Sequence, residues 1–510
     1  MKKRLRVCCL VILAVVAHMG AQPAFVRDSL DAFMRRAMTQ WKIPGAAIAI
    51  VKDGQVVVAK GYGVREHGKP DKVDENTLFG IGSNTKAFTA TALAALEANG
   101  KLSLDDKVIK WLPEFRLYDT LATCEVMLRD LLCHRIGLGE YQGDFVMWGS
   151  SYSRDEIVRK MRLMKPVSSF RSRYAYCNCA FIVAGQVIPR VTGNTWDEYI
   201  RDSILVPLGM RRTTTTVAGL EGDPNAARPH MLWNGKPVSI RYGNIDNSAP
   251  AGAINSSAAE MAHWLIMQTD SGRYNGRQVI PWKALEETRS AQMVVGEPGV
   301  YERLVGGVHF RNYGLGWMLM DYAGRKVVRH TGEVDGFVSL TCFVPEERLG
   351  FVLLTNSLGH EFQWPVLYHV LDAYLARPYS DWNDRFYTIF SKAAAEAAAM
   401  RAKYMARPAN ALPPSANLTA YTGTYTHEQY GSVEVKLEEG RIRIYFSAHP
   451  GLIATLEHQN GDAFACSFND KIFGESLVPF TVKDGKVVSF VLTVDPWVDP
   501  TEYVFTKLVR

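Results

Sequence analysis

The chain has 510 residues, of which 47% are hydrophobic and 22% are charged, and its formal net charge is +6 at pH 7. This composition is that of a soluble globular protein, and the length predicts two or more domains. Because this positive charge is small, it gives no electrostatic support for nucleic-acid binding. Nucleic acid is therefore not an expected partner.

Residues 1–21 have the pattern of a secretory signal peptide. Four basic residues within the first six precede an apolar run over residues 7–16, and Gly20 and Ala21 offer small residues for cleavage. The apolar run is shorter than a membrane-spanning helix, which disfavours an uncleaved anchor. We therefore predict an exported protein, periplasmic or secreted. Cleavage after residue 21 would lower the net charge from +6 to +2.

Six cysteines lie beyond this segment, and their spacing defines no disulfide framework. The chain contains neither Cys-x-x-Cys nor His-x-x-x-His, so a metal site has little support and no metal is expected. We predict mostly buried free thiols at these positions, although the pattern of disulfides stays open: Cys124, Cys133, Cys177, Cys179, Cys342 and Cys466.

The predicted elements of the first 380 residues begin and end with strands. Residues 44–64 read as two strands joined by a turn at Asp53-Gly54, and residues 85–96 as a mostly apolar, buried helix that ends before Gly100. Helical segments and Pro/Gly loops continue to about residue 269. Short β-rich runs then follow, at residues 314–320, 327–329, 336–344 and 350–355. One antiparallel sheet is thus predicted from both ends of this region.

The composition changes after this region. Residues 391–406 are rich in alanine and helical in character, and residues 408–416 contain Pro413-Pro414 among small polar residues, as a linker does. Residues 418–510 contain about eight short β runs separated by Gly, Asp and Asn. They predict a small antiparallel barrel or sandwich.

The strongest candidate for chemistry is Ser83, the only serine of the chain that stands three residues before a lysine, Lys86. Positions i and i+3 share one helix face, and the N-terminus of a helix favours both an oxyanion and an unprotonated amine. A serine hydroxyl needs such a neighbouring base to become a nucleophile. The alternative is a helix-capping serine followed by a solvated lysine.

Tyr176 and Asn178 form a second signal, because Tyr176-Cys177-Asn178 leads into the apolar, helix-like run 181–188. A phenol at this position is able to transfer a proton, and an amide is able to bind a carbonyl group. A second Tyr-x-Asn begins at Tyr242, but it lies in a predicted loop, which holds a site less rigidly. The alternative for Tyr176 and Asn178 is a pair that makes only local hydrogen bonds at the helix entry.

His330-Thr331-Gly332 forms the third signal, between two strand-like runs. The histidine and the hydroxyl are able to bind a carboxylate or relay a proton, and Gly332 allows a substrate to approach the backbone. The alternative is a strand histidine that the backbone satisfies. Trp148 follows a Gly-rich loop and either packs in the core or borders the same cleft.

In this order and on these elements, the three motifs resemble those of the serine β-lactamase and penicillin-binding protein superfamily, in its class C β-lactamase, DD-peptidase and esterase branch. The resemblance covers about residues 25–375. It includes residues 250–256 and residues 130–138, which are similar to a Leu-Leu-x-His-Thr-Ser-Gly-Leu segment of the family, with Arg135 and Ile136 in place of the usual Thr-Ser pair. Histidine at position 330, where β-lactamases usually carry lysine, is more similar to DD-carboxypeptidases, esterases and D-aminopeptidases.

The resemblance implies an α/β (α+β) fold for the part of the chain that it covers, with an antiparallel sheet flanked by helices and a mainly helical subdomain. The β runs of residues 418–510 add a small all-β, barrel-like domain after it. The expected boundaries are a signal peptide at residues 1–21, a β-lactamase-related hydrolase domain at 25–378, a helical connector and Pro-rich linker at 379–417, and the β domain at 418–510. The role of this last domain stays open.

The resemblance also implies acyl transfer, with Ser83 as nucleophile and Lys86 and Tyr176 sharing the general base and acid roles. Which of the two takes the first proton stays open. The backbone N–H groups of Ser83 and Glu333 would form the oxyanion hole, Asn178 would bind the amide carbonyl of the substrate, and the triplet His330, Thr331 and Gly332 would bind its carboxylate or leaving group. No cofactor is implied.

The sequence therefore predicts an exported serine hydrolase that acts through an acyl-enzyme on amide or ester bonds. A DD-carboxypeptidase-like or D-aminopeptidase-like activity or an esterase activity is favoured, with small-molecule or peptide substrates, among them peptides derived from peptidoglycan. One alternative is a class C-like β-lactamase. Another, from a different class, is a catalytically silent penicillin-binding-like protein that only binds a ligand. The acyl specificity and the oligomeric state stay open.

Overall fold

An antiparallel eight-stranded sheet forms the centre of the first domain. The computed structural model describes residues 22–508, so the predicted signal peptide lies outside the described residues. Within residues 22–508, no helix combines the length and the apolar character needed to cross a membrane. The strands, in their order across the sheet, are Gln55–Gly63, Gly45–Lys52, Leu349–Thr355, Phe337–Val344, Arg325–Val334, Met318–Tyr322, Arg311–Tyr313 and Met293–Val294.

The first hairpin follows directly from its sequence. Gly45–Lys52 and Gln55–Gly63 are joined by a two-residue turn in which Asp53 and Gly54 have φ angles of 52° and 77°. Positive φ at both central residues gives a turn whose twist matches that of the strands, and Asp-Gly is a preferred pair for it. The predicted hairpin is confirmed.

Helices cover both faces of the sheet. Leu30–Trp41 and Gln363–Tyr374 pack on one face, whereas Thr85–Ala98 and Ala258–Thr269 pack on the other with the rest of the helical half. The strand Phe337–Val344 is buried along its whole length, as expected for a strand covered on both sides. The sheet built from both ends of the domain is thus confirmed.

The other helices and short strands surround this core. The helices are Phe25–Ser29, Val108–Trp111, Thr120–Glu125, Leu128–Leu132, Asp144–Met147, Arg154–Lys160, Asn178–Thr192, Trp196–Ile200, Arg201–Leu205, Val217–Glu221, Ala249–Gly252, Trp282–Thr288, Val300–Val305 and Trp382–Met405. Short 3-10 turns lie at Gly82–Asn84, Met161–Leu163, Asp246–Ser248, Pro345–Glu347, Leu418–Tyr421 and Lys471–Phe473. The short strand pairs are Phe79–Gly80 with Asn255–Ser256, His230–Trp233 with Lys236–Ser239, and Arg273–Tyr274 with Arg277–Gln278.

Several element boundaries differ from those predicted, among them that of the β run predicted at 314–320, which is the strand Met318–Tyr322. The connecting helix is Trp382–Met405 and begins nine residues before the alanine-rich stretch, because Asp381 caps it through the backbone N–H of Asp384. His330 does not lie between two strands but within one, Arg325–Val334. The residues Thr331-Gly332 interrupt the apolar pattern of this strand without interrupting its pairing.

The C-terminal domain is a closed barrel of eight antiparallel strands: Gly423–His427, Gly431–Glu438, Arg441–Phe446, Ile453–Asn460, Ala463–Phe468, Glu475–Lys483, Lys486–Leu492 and Tyr503–Lys507. Alternate residues point inward, and aromatic rings such as Tyr425, Phe480 and Phe490 fill the interior. The barrel is therefore a packed core. The predicted fold class, a helix-flanked antiparallel sheet followed by a barrel-like domain, is confirmed.

One short helix of the first domain is held by the barrel. Phe145, in the helix Asp144–Met147, is buried in the barrel's hydrophobic cluster and stacks on Tyr430 with ring centroids 5.2 Å apart. The Asp499 carboxylate accepts the backbone N–H groups of Gly143 and Phe145 at 3.1 and 3.0 Å. The two domains therefore share one core at this seam.

Replacing Asp499 with alanine is expected to lower the free energy of unfolding by about 2 to 4 kcal/mol. The change leaves two buried N–H groups and the Tyr503 hydroxyl, which donates to Asp499 at 2.6 Å, without an acceptor. Urea denaturation measures the effect, with the exposed neighbour Glu502→Ala as the matched control. Equal stability of the two variants would contradict this account of the seam.

Candidate active site

Ser83 lies in a 3-10 turn, Gly82–Asn84, that leads directly into the buried helix Thr85–Ala98. Neighbouring elements fix this turn from two sides. The backbone N–H of Ile81 donates to Ile254 O at 3.0 Å. The Ser339 hydroxyl donates to Ile81 O at 2.7 Å and accepts from Asn84 Nδ2 at 2.8 Å. The serine is therefore presented on a rigid turn, as a nucleophile requires.

Gly82 brings this turn against the strand Arg325–Val334. Its φ angle is +51°, and a Cβ atom there would lie 2.6 Å from the backbone nitrogen of Glu333. Gly332 is equally confined, because its Cβ would lie 1.9 Å from Ile81 O. Two glycines thus allow the backbones of Ser83 and Glu333 to approach, which is the arrangement that the predicted oxyanion hole needs.

The Lys86 side chain is fully buried beneath Ser83. Its Nζ atom lies 3.0 Å from Ser83 Oγ, 2.6 Å from Asn178 Oδ1 and 2.8 Å from the backbone oxygen of Ala251. Burial lowers the pKa of Lys86 to about 7, although the charges of Asp144 and Cys177 act in the opposite direction. Close to neutral pH, this amine therefore exists in both protonation states.

The contacts of the neutral amine define its orientation. A neutral amine has two N–H donors and one lone pair. The oxygens of Asn178 and Ala251 take the two donors, so the lone pair points to the hydroxyl of Ser83. In this state, the Ser83 hydroxyl donates its hydrogen bond to Lys86 Nζ, so its proton already points at the nitrogen that would accept it in general-base catalysis.

If Lys86 is the base, kcat/KM is expected to rise with pH and to be half-maximal at about pH 7, because only the neutral amine accepts a proton. Glu361, in the same cleft, has its pKa raised by burial to about 7 as well. The Glu361→Gln variant separates the two groups, since it should keep the rise. A pH profile measured on both proteins tests this. A rate that falls between about pH 6 and about pH 8 would contradict the assignment.

Tyr176 lies on the other side of the lysine, with its ring centroid 4.8 Å from Lys86 Nζ. Its hydroxyl is buried, faces Ser83 and makes no well-formed hydrogen bond within residues 22–508. Burial raises the pKa of Tyr176 well above its usual value. The His134 ring lies against the Tyr176 ring, tilted by 31° with centroids 4.3 Å apart, and it accepts the backbone N–H of Cys177, which fixes this segment.

Asn178 continues the polar chain away from the nucleophile. Its Oδ1 atom accepts from Lys86, and its Nδ2 atom donates to Asp144, which is also buried. Burial raises the pKa of Asp144 well above its usual value, and the charge of Asp499 from the barrel raises it further. Of the two amide protons of Asn178, one remains for a substrate carbonyl.

His330 has less freedom to bind a substrate than its motif predicts. The side chain is 3% exposed, Nε2 lies 2.9 Å from the Tyr313 hydroxyl, and Nδ1 contacts Thr331 O. Burial lowers the pKa of His330 to about 3, so the ring is neutral at physiological pH. Because both nitrogens are engaged, the half-buried Thr331 is the better placed of the two to meet a carboxylate.

These side chains meet in one cleft of about 690 Å³. Ser83, Tyr176, Asn178, His330, Thr331 and Glu333 line it, while Lys86 lies beneath its floor. Trp148 also borders it, as one of its two interpretations required. The remaining lining includes residues that the motifs did not indicate, namely Glu140, Tyr141, Asp144, Tyr174, Tyr301, Glu302, Arg311, Arg329, Glu361, Gln363, Trp364, Trp497 and Val498.

The barrel supplies part of the cleft wall. Trp497 donates from Nε1 to Glu333 Oε2 at 2.7 Å, two residues before Asp499. Its ring also meets that of Trp148 edge-on, with centroids 6.0 Å apart, and Trp148 donates to Asp335 at 2.8 Å. The C-terminal domain therefore reaches the candidate active site and touches the residue that follows Gly332.

Comparison with known proteins agrees with this geometry. Residues 30–375 match the family model described as Beta-lactamase. The chain belongs to the beta-lactamase family. In this beta-lactamase-family chain, residues 407–507, which include the whole barrel, match a separate model described only as a domain of unknown function (DUF3471). The resemblance found in the sequence motifs is thereby confirmed.

Relatives of this beta-lactamase-family chain include a fungal and a bacterial protein. The unguisins hydrolase ungD of Aspergillus violaceofuscus is 28% identical over 88% of this chain and 85% of its own length. Protein flp of Staphylococcus aureus is 25% identical over 68% of this chain and 66% of its own length. The octameric penicillin-binding protein homologue from Pyrococcus abyssi has the same fold, with a TM-score of 0.60 and 23% identity over 94% of this chain and 99% of its own.

The cysteines of the described chain are free thiols, as predicted. Five are buried and Cys124 is exposed. Cys177 and Cys179 are buried on either side of Asn178, so they contribute to packing at the start of the helix Asn178–Thr192.

Proposed function

We propose that this chain is a serine hydrolase in which Ser83 attacks an amide or ester carbonyl. The observation that supports this most directly is the Lys86 amine, which is buried, has a pKa close to 7, and is oriented by Asn178 and Ala251 towards the Ser83 hydroxyl. In the alternative, in which Lys86 is merely a solvated residue at the start of the helix, its side chain would be exposed and charged. Three contacts converging on one buried amine match the requirements of a general base.

In the proposed reaction, Ser83 Oγ bonds to the carbonyl carbon while its proton passes to Lys86. The backbone N–H groups of Ser83 and Glu333 stabilise the oxyanion of the tetrahedral intermediate, and one such donor contributes about 3 to 4 kcal/mol. The bond to the leaving group then breaks as that group receives a proton, which leaves an acyl ester on Ser83. Water attacks this ester and one of its protons passes to Lys86. The bond between Ser83 Oγ and the acyl carbon then breaks, Oγ takes the proton back from Lys86, and the free acid is released.

Of the two candidate bases, Lys86 is assigned the first proton. At neutral pH, Tyr176 is a phenol whose pKa is raised by burial, so it is unable to accept a proton from serine. Its buried hydroxyl faces Ser83 and suits a donor that passes a proton to the leaving group. Asn178 and Thr331 are assigned to the carbonyl and the carboxylate of the substrate, and His330 acts through Tyr313 and Thr331 rather than by direct contact.

The proposed substrates are D-amino-acid peptides or esters, handled by an exported enzyme of the DD-carboxypeptidase, D-aminopeptidase or esterase kind. Histidine at position 330, in place of the lysine usual in β-lactamases, supports peptides or esters over β-lactam drugs. The name of one relative, unguisins hydrolase, describes hydrolysis in a protein that spans 88% of this chain. Nitrocefin turnover, compared with that of p-nitrophenyl esters and D-alanyl peptides, separates these classes.

A fluorophosphonate probe tests the proposal. The wild-type protein is expected to be labelled on Ser83, and the Ser83→Ala variant is expected to remain unlabelled. The exposed Ser239→Ala variant is the matched control and should be labelled as fast as the wild type. Equal labelling of wild type and Ser83→Ala would contradict the proposal.

A further inference from the structure

One end of the cleft carries two carboxylates that lack a cation. Glu333 and Glu361 both line the cleft, and neither forms an ion pair within residues 22–508. Their neighbours are neutral donors: Trp497 donates to Glu333 Oε2, whereas Trp364 and Gln363 donate to Glu361 Oε2. The second oxygen of each carboxylate makes no hydrogen bond within the described chain. The two groups are close enough for the charge of Glu333 to raise the pKa of Glu361.

The cations nearest to this end of the cleft are already engaged. Arg329 Nη2 lies 2.8 Å from Glu302 Oε1, and the Arg311 side chain approaches the same carboxylate at 3.8 Å. The Arg329 guanidinium also lies over the Trp364 ring, 4.7 Å from its centroid. Glu302 is only 7% exposed, so this cluster is internal and supplies no cation to Glu333 or Glu361.

A third acceptor at the same end is buried and unsatisfied. Gln363 is 2% exposed and lines the cleft, and its Nε2 atom donates to Glu361 at 2.8 Å, which fixes the amide orientation. Its Oε1 atom then has no hydrogen-bond partner within residues 22–508. The neighbouring His360 makes no well-formed hydrogen bond with this oxygen, and its ring nitrogens contact the Thr355 hydroxyl and the backbone N–H of Phe362. An unpaired buried acceptor costs about 1 to 3 kcal/mol unless a ligand satisfies it.

We propose that Glu333, Glu361 and Gln363 form a subsite for a cationic group of the substrate, an ammonium or a guanidinium. Two carboxylates and one amide oxygen offer only acceptors, and an ammonium offers only donors, so the two sets are complementary. The aromatic side chains of Tyr301 and Trp364 border the same space and suit the apolar stem of such a group.

This inference rests on the proposed function, because it names the substrates of the same cleft. Glu333 connects the proposed reaction with the subsite, because its backbone N–H is assigned to the oxyanion and its side chain is assigned to the cation. A cation held there would lie beside the scissile carbonyl. The proposed substrates then narrow to peptides or esters that carry a free amino group or a basic side chain close to the bond that is cleaved.

Binding of benzylammonium to the full chain, measured by calorimetry at about pH 8, tests the subsite. At this pH Glu361, whose pKa is raised to about 7, is ionised, and the ligand remains protonated. Benzyl alcohol is the neutral ligand of the same shape. We expect benzylammonium to bind about tenfold more tightly than the alcohol, to the wild type and to Ser83→Ala alike. Comparable affinity for the two ligands would overturn the subsite.

Variants locate the binding. Glu361→Gln and Glu333→Gln preserve the shape of the side chain, and each is expected to lower the affinity for benzylammonium by about fivefold or more. Glu396 is an exposed acid of the connecting helix, so Glu396→Gln should leave the affinity unchanged. Benzylammonium should also slow fluorophosphonate labelling of the wild type, and binding without slowing would overturn the link to the cleft. Because binding to Ser83→Ala does not depend on acylation, a failed subsite and a failed hydrolase are distinguishable.

Discussion

Replacing Lys86 with methionine is expected to lower kcat/KM by about a thousandfold or more. Methionine preserves the length of the buried side chain but removes the lone pair that lies 3.0 Å from Ser83 Oγ. Lys86→Arg should lose as much activity, because a guanidinium stays protonated at any accessible pH and is unable to act as a base. Hydrolysis of p-nitrophenyl acetate and the rate of fluorophosphonate labelling both measure the effect.

The control for Lys86 is Lys101→Met, at an exposed position just after the same helix, which should retain wild-type activity. Thermal unfolding of each variant shows whether the loss is chemical, since Asn178 Oδ1 and Ala251 O lose a donor in Lys86→Met. If a folded Lys86→Met variant keeps more than about a tenth of the activity, the base is another group.

Gly82→Ala is expected to lower kcat by about a hundredfold or more without touching any side chain of the site. The new Cβ would lie 2.6 to 2.8 Å from three backbone atoms of Glu333, so the turn and the strand must separate. That separation moves the N–H groups of Ser83 and Glu333 apart and weakens the oxyanion hole. Burst kinetics and labelling of Ser83 measure the loss.

Gly100→Ala is the matched control for this change. Gly100 has a φ angle of +67°, similar to the +51° of Gly82, but a Cβ there would meet no atom within 4 Å. Both variants therefore bear the cost of a left-handed alanine, about 1 kcal/mol, and only Gly82→Ala adds a collision. Similar activity in the two variants would show that the close approach of turn and strand has no role in catalysis.

The sequence predicts those parts of the site whose signals are local. Ser83 lies in the turn that enters the helix of Lys86, three residues before it, and this short-range spacing is enough to place the amine beside the hydroxyl. The Asp53-Gly54 hairpin is equally local, because two positive φ angles specify the turn. A short stretch of sequence is enough to predict the geometry of such features, and the structure adds only the distances between their atoms.

Features that depend on distant residues escape this kind of prediction. Trp497 meets Glu333 across 164 positions, and Asp499 meets Gly143 across 356. Nothing in the turn around Asp499 distinguishes it from an ordinary Asp-rich loop. The surroundings of His330 are equally unpredictable from the sequence. Its motif predicts contact with a ligand, but its buried ring is neutral and its Nε2 atom contacts Tyr313. Only the packed structure reveals which polar groups are already satisfied.

Glu361 and Gln363 illustrate the same limit on the substrate side. They belong to a loop and helix start that follow the last strand of the sheet, and no catalytic motif includes them. Their significance comes from Glu333, which the strand Arg325–Val334 brings to the same end of the cleft. The proposed cation subsite thus consists of residues around the motifs, whereas the proposed nucleophile and base belong to the motifs themselves.

The position of Trp497 has a consequence for reading related genes. A chain that stopped before residue 497 would retain every motif that marks a serine hydrolase, from Ser83 to Glu333, yet it would lack the tryptophan that holds Glu333 and the aspartate that caps the helix of Phe145. A motif search would count such a shortened sequence as intact. The integrity of a chain of this architecture is therefore better judged from the loop between its last two barrel strands, which carries Trp497 and Asp499, than from Ser83 alone.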